Sequence, residues 1–453
     1  MSKPLKPPAH VLHICQRLES SGFQAYIVGG AIRDLLRGIE PTDWDICTDA
    51  LPAEVMSLFP AALPLGIAYG TVTVMVDGNP VEVTTMREDG AYSDGRRPDQ
   101  VIFGRDLTKD LARRDFTINA IAYRPATDQY TDPFGGRRDL RRKIVRCVGD
   151  PKQRFQEDGL RVLRFFRFIA TLDFKPDRAT LKAVEPRWLR GVSAERTGDE
   201  LSRLLVAPDP TSALQLMIEK GVLGELIPEL TPCAQIPKGG HSRQSVLEHT
   251  IKVTGLIRPT LVLRLAALLH DIGKSKTLTY DEYGAHYYGH EHVGSEMARE
   301  ILTRLRFSKK VVTQVAHLVR WHMFQVPPNA TDRTLRKLIA RTGRTAILDL
   351  LELRRADILD SEPRDIVAAQ QYFQQLAAAI QQILQEGQTF TLKDLAISGH
   401  DLQRELGLKP GPMIGRVLNH LLEQTIDEPK LNEYRTLLAL ARQYVRTIED
   451  RNQ

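Results

Sequence analysis

Tyr26-Ile-Val-Gly-Gly-Ala-Ile-Arg33-Asp34, followed about ten residues on by Asp43-Trp-Asp45, is the stretch on which the reading of the fold turns. A short apolar run ending in Gly29-Gly30 and passing into Ala31 to Arg37 reads as a strand, a tight turn and a helix. The first N–H groups and the dipole of such a helix suit a phosphate. Arg33 adds a fork of donors to the same end. Residues two apart on a strand point the same way, so Asp43 and Asp45 are expected to share one face and hold one or two divalent cations. Pro80-Val-Glu82-Val-Thr-Thr alternates like a neighbouring strand and offers Glu82 as a third carboxylate. An all-oxygen donor set of this kind suits Mg2+. Alone, a Gly-Gly turn is usually only tight backbone, and an Asp-x-Asp is usually a solvated strand end. In this order and at this spacing they read together as a site for nucleotidyl transfer.

Leu111-Ala-Arg113-Arg114-Asp115-Phe-Thr-Ile-Asn119-Ala120 and Glu157-Asp158-Gly-Leu-Arg161-Val-Leu-Arg164 follow in order. With these, the chain resembles, from Phe23 to Leu230, the class II transfer-RNA nucleotidyltransferases, the CCA-adding enzymes, and their relatives the bacterial poly(A) polymerases. The resemblance implies that Asp43 and Asp45 are catalytic metal ligands. It implies nucleotide contacts from Gly29, Gly30, Arg33, Asn119 and Arg164, with Arg113, Arg114 and Asp115 at the ribose. Glu157, Asp158 and Arg161 occupy the positions that serve the family as a protein template for the incoming base. That role is chemically sensible, because a carboxylate accepts from an exocyclic amine while a guanidinium donates to ring nitrogens and carbonyls. Asp158 and Arg161 lie three apart on a predicted helix and so share a face. Asp132-Pro-Phe-Gly-Gly136 looks like the family's flexible element between head and neck.

A length of 453 residues suggests about three domains. Strand-like alternation dominates Phe23 to Val148, and helical spacing dominates after Asp150. The expected class is α+β: a small mixed α/β head over 1–148, an all-helical neck over 149–230, an HD-type body over 240–365 and a helical tail over 366–453. The linker spans 231–240, with two Pro and two Gly. The 62 Lys and Arg against 56 Asp and Glu leave +6 and a pI near 9.0, which suits a nucleic-acid partner. The partners implied are the transfer-RNA 3′ end, CTP and ATP. Four scattered cysteines with no Cys-x-x-Cys pair point to a reducing, cytoplasmic location. No segment reads as a signal peptide or a membrane span, so no membrane partner is expected.

The body carries a second constellation: His249, His270-Asp271-Ile-Gly-Lys274, His290, His317, His322 and Asp357. Its order resembles the HD superfamily of metal-dependent phosphohydrolases, which implies His249, His270, Asp271 and Asp357 as core ligands. His290 with either His317 or His322 could supply a second cation. Imidazole with carboxylate suits transition ions such as Ni2+, Co2+ or Mn2+. A working phosphohydrolase and a scaffold without activity are both open.

In the tail, Ser398-Gly-His-Asp401-Leu precedes Gly407-Leu-Lys409-Pro-Gly411-Pro412-Met-Ile-Gly415-Arg416. The latter could present N–H groups and charge to an RNA backbone, as a similar stretch does in the tails of CCA-adding relatives, or serve only as a helix connection. Bacterial poly(A) polymerases typically carry a Gly-Arg-Arg-Phe element where this chain reads Thr71-Val-Thr-Val and Glu82-Val-Thr-Thr, which favours CCA addition. The segment from Arg87 to Asp99 looks like the flexible loop retained by enzymes that add the final A, which argues against a CC-only enzyme. Full CCA addition and A-only addition stay unseparated.

Overall fold

A computed structural model of the chain describes residues 6–90, 100–239, 242–361, 365–387 and 389–451. They form two compact units that divide after Thr231, with 304–306 joining the first. The first unit is built on β1 (Ala25–Val28), β2 (Asp45–Thr48), β3 (Thr71–Val76), β4 (Asn79–Thr85), β5 (Arg87–Asp89), β6 (Val101–Phe103), β7 (Ala122–Arg124) and β8 (Gln129–Thr131). Six of them make one mixed sheet in the order β3-β4-β2-β1-β7-β8, while β5 and β6 pair separately. The alternation read in the sequence is that of the sheet: Val81 and Val83 are buried on either side of an exposed Glu82. β2 and β4 run parallel with Asp45 opposite Glu82, so both carboxylates stand on one face. Val28, Cys47, Met86, Leu111, Ala120 and Ala122 form a buried core cluster.

The neck is helical apart from β10 (Lys175–Pro176), which pairs in parallel with β9 (Ile144–Val145). This corrects the expectation of an all-helical neck; two residues are too short a run to register as alternation. Its central helix, Leu160–Leu172, buries Val162, Leu163, Phe165, Phe166 and Ile169 and keeps Arg161, Arg164 and Arg167 at one side. The sequence Asp132 to Gly136 lies within the head, where the Asp132 carboxylate accepts the N–H groups of Gly136 (2.6 Å) and Arg137 (2.9 Å) and caps the next helix.

In the second unit the helices Val246–Leu256, Leu261–Leu269, His290–Arg304, Lys309–Trp321 and Ile347–Asp360 carry the histidines and aspartates or end just before them. A small hairpin, β11 (Thr279–Asp281) with β12 (Gly284–His286), interrupts the helical pattern. The tail helices Gly399–Leu406, Pro412–Asp427 and Tyr434–Arg451 close around Leu402, Val417, Leu421 and Leu437. Among the described residues no helix is long and apolar enough to cross a membrane.

Candidate functional site

β1 ends at Val28 and the chain turns through Gly29, with φ +73°, into the helix Gly30–Leu36. A Cβ at Gly29 would lie 3.1 Å from both an Arg114 terminal nitrogen and Asp45 Oδ2, so the turn brings bare backbone against the charged groups. There a cavity of about 840 Å3 opens between sheet and neck. Its lining contains Gly29, Gly30, Arg33, Asp43, Asp45, Glu82, Arg113, Arg114, Asp115, Asn119, Asp158, Arg161 and Arg164, which is every predicted head and neck residue except Glu157. Glu157 lines a smaller adjoining cavity with Asp89, Arg113 and Arg154.

Asp43 corrects an expectation. The β2 ladder begins where Glu82 N–H donates to the Trp44 carbonyl (3.0 Å), so Asp43 precedes it on an exposed bend and does not share a strand with Asp45. Burial pushes the Asp45 carboxyl up, Arg114 opposes that, and the nearby Glu82 and Asp43 charges add to the rise. The oxygens of these three carboxylates do not converge on one point.

A polar network runs along the cavity floor. Arg33 is spent on both oxygens of Asp34 (2.9 and 2.8 Å) and on Asn119 Oδ1 (2.9 Å). The Asn119 amide donates to Asp115 Oδ1 (3.0 Å), and Arg164 donates to Asp115 Oδ2 (2.8 Å). Burial alone would raise the Asp115 carboxyl, but Arg164 and Asn119 hold it at about 2. Arg113 turns its guanidinium to buried Asp110 (2.7 Å) and toward Asp89 (3.7 Å), while Arg114 reaches Asp110 at 3.4 Å.

The helix predicted through Asp158 and Arg161 is broken. Pro151–Glu157 ends at Asp158, whose backbone is extended (φ −148°), and Leu160–Leu172 begins after Gly159. A Cβ at Gly159 would come within 1.8 Å of the Trp188 carbonyl, which explains the glycine. Asp158 therefore pairs with Arg196 (2.7 Å) and accepts the Leu160 N–H (3.1 Å), while Arg161 pairs with Glu157 (2.6 Å).

In the second unit His249, His270 and Asp271 bring ligand atoms together, and so do Asp271, His290 and His322, so Asp271 is common to both groups. His249 Nε2 lies 3.3 Å from His270 Nε2, 3.1 Å from Asp357 Oδ1 and 3.5 Å from Asp271 Oδ2. His290 Nε2 lies 3.2 Å from His322 Nε2 and 3.3 Å from Asp271 Oδ1. Atoms bound about 2.1 Å from one ion lie roughly 3.0–3.4 Å apart, so the spacing fits a metal. His270, His290 and His322 direct Nδ1 at the carbonyls of Ala267, Tyr287 and Val319 (2.8, 2.7 and 2.7 Å). A carbonyl only accepts, so Nδ1 carries the proton and each Nε2 turns a lone pair inward. Of the two candidates for the second group, His322 joins it; His317 bonds the Thr342 carbonyl instead.

Residues 25–146 match the Poly A polymerase head domain, 173–233 an RNA- and SrmB-binding site of polymerase A, and 290–441 tRNA nucleotidyltransferase domain 2. The CCA-adding enzyme of Pediococcus pentosaceus is 32% identical over 433 residues, 94% of this chain and 95% of that relative. The chain belongs to the CCA-adding enzyme family. The CCA-adding enzyme of Geobacillus stearothermophilus is 46% identical over 224 residues; that stretch is 48% of this chain and spans 54%, about half, of that relative. The structure of the Bacillus stearothermophilus CCA-adding enzyme in complex with CTP matches with a TM-score of 0.76 at 29% identity, covering 100% of both chains. A Thermotoga maritima CCA-adding enzyme complexed with tRNA, 20% identical at a TM-score of 0.58, shares the fold.

Sequence reading missed several cavity residues of this CCA-adding family member. Arg167 and Phe168 line it, with the Arg167 guanidinium 4.1 Å from the Phe168 ring and its Nε 2.5 Å from Glu200. The spacing of three from Arg161 through Arg164 to Arg167 is the signal that could have found Arg167. Arg196 and Arg203 also line it and come from the helix Ala194–Leu205, where nothing local marks them. In the second unit, the sequence did not single out Asp360, whose Oδ2 lies 2.6 Å from His249 Nδ1.

Proposed function

We propose that this chain adds C, C and A to the 3′ end of transfer RNA from CTP and ATP, in the cytoplasm and without a nucleic-acid template, at the cavity between sheet and neck. The observation that carries the reading is the lining itself: carboxylates on the sheet side face a neck wall of Arg161, Arg164, Arg167 and Phe168. The full-length likeness to an enzyme solved with CTP supports the same substrate class. Asp43, Asp45 and Glu82 offer oxygen donors of the kind Mg2+ takes, and a cation among them would offset the burial and the carboxylate repulsion that raise Asp45. Bound there, such ions supply charge neutralisation for the triphosphate and lower the pKa of the attacking hydroxyl. The RNA 3′ oxygen bonds to the α-phosphorus, the bond to the pyrophosphate oxygen breaks, and the hydroxyl proton leaves to base or water. Arg114 stands beside the Gly29 turn, where it suits the triphosphate. Arg113 and the Asp115–Asn119–Arg164 network suit the sugar. Asp158 offers an acceptor and Arg161 a donor fork to the base edge, and Glu157 orients Arg161.

Transfer RNAs ending before CCA, after C and after CC, each incubated with CTP and ATP, test the reading. All three should be completed to CCA. Extension of the CC-ended RNA alone would mean A-only addition, and long adenylate tails would mean poly(A) polymerase chemistry. Asp45→Ala and Asp43→Ala should abolish incorporation and spare RNA binding; near-normal incorporation in both would overturn the assignment.

A second reading is favoured by the histidine–aspartate cluster, which we read as an HD-type site for Ni2+, Co2+ or Mn2+. His249, His270, Asp271 and Asp357 would hold one ion, and Asp271, His290 and His322 another. Ions bound there would supply an activated water for phosphoester hydrolysis. Lys238, Lys252, Lys274 and Arg354 line the cavity of about 570 Å3 beside the cluster and suit a phosphate. Hydrolysis of small phosphoesters over a panel of metals, lost in the double variant His270→Ala, Asp271→Ala, would bear this out. No activity with any metal would leave the scaffold reading.

A further inference from the structure

We propose that Asp360 makes the His249 half of the histidine–aspartate cluster the tighter of two unequal cation sites. The inference rests on reading that cluster as a metal centre. Its four imidazoles are not backed alike. His270 and His322 cap the C-terminal ends of their helices and His290 opens another, so each Nδ1 finds a nearby backbone carbonyl. His249 lies inside Val246–Leu256, where the carbonyl of the preceding turn is already taken by the helix. Its Nδ1 meets Asp360 Oδ2 at 2.6 Å instead.

A carboxylate acceptor is roughly twice as strong as a neutral one and places more electron density on the ligating Nε2. The donor sets add to the asymmetry. His249 and His270 are accompanied by two carboxylates, Asp271 and Asp357, whereas among the described residues Asp271 is the carboxylate paired with the Nε2 atoms of His290 and His322. Asp360 is itself held from elsewhere, with Oδ2 accepting from Gln244 (3.1 Å) and Lys238 (3.3 Å) and Oδ1 lying 3.8 Å from Lys252. It is a positioning residue, oriented toward the imidazole.

The full-length chain, stripped with chelator and dialysed, is titrated with Co2+ alone, followed by its visible absorption and by calorimetry. The unaltered chain should bind in two steps. Asp360→Asn should weaken the tighter step tenfold to a hundredfold and leave the weaker one in place. His290→Ala should remove the weaker step and keep the tighter, an independent outcome if Asp360→Asn fails to fold by circular dichroism. Equal affinities in the unaltered chain, equal weakening of both steps by Asp360→Asn, no weakening at all, or loss of the tighter step in His290→Ala would each overturn the proposal. No Co2+ binding by the unaltered chain would overturn the metal reading, and the proposal with it.

Discussion

Asp115 is buried, yet its carboxyl is held at about 2 by Arg164 and Asn119 against the penalty of burial. Its pKa is depressed below the ordinary 3.8, so the stability it contributes is fully present above that value and is lost as pH falls through about 4 to 2. The linked stabilisation is about 2 kcal/mol. In urea titrations between pH 2.5 and 6, the stability of the unaltered chain minus that of Asp115→Asn should therefore shrink on acidification; a difference constant with pH would show that Asp115 is not so held. Asp158 makes a second case. If it reads the base edge, Asp158→Ala removes the acceptor for the exocyclic amine that C and A share. The loss of one charge-assisted bond is about 1.5–3 kcal/mol, or roughly ten- to hundredfold in discrimination. UTP and GTP should begin to be incorporated. Unchanged selectivity would leave Asp158 as the partner of Arg196 only.

The break between Pro151–Glu157 and Leu160–Leu172 decides what the neck presents. Gly159 packs its Cα against the Trp188 carbonyl, which no side chain can share. Gly159→Ala must push the junction away from the Trp188 segment, so a loss of roughly 2–4 kcal/mol is expected, with relaxed base selectivity in whatever folds. Thermal unfolding checks the first outcome and misincorporation the second; a variant as stable as the original would mean the junction yields easily. The helices on both sides were legible in the sequence from their apolar spacing, and β4 from its alternation. The break has a local signal in Asp158-Gly159, a turn dipeptide, but the helical spacing that runs through both sides masks it.

Two donor sets in two compact units share no residue, so their chemistry should separate. His270→Ala with Asp271→Ala should remove transition-metal binding and leave nucleotide incorporation at the level of the unaltered chain; a parallel loss of both would show the cluster to be needed by the head. The segment Ala91 to Asp99 of the loop read as a mark of terminal-A addition lies outside the described residues, so the terminal-A question rests on the assay. What the sequence by itself determined are the features written within a few residues: the Gly29-Gly30 turn, the alternating strands, the apolar helix faces, and the identities of most of the charged groups in the cavity. Only the tertiary structure decided which charges pair. Asp158 turned to Arg196 across 38 residues, and His249 to Asp360 across 111. It also took Asp43 off the strand and chose His322 over His317. A backbone hydrogen bond or apolar face is set by near neighbours, whereas a buried charge takes whichever partner the packed chain brings within reach, and that partner has no local signature.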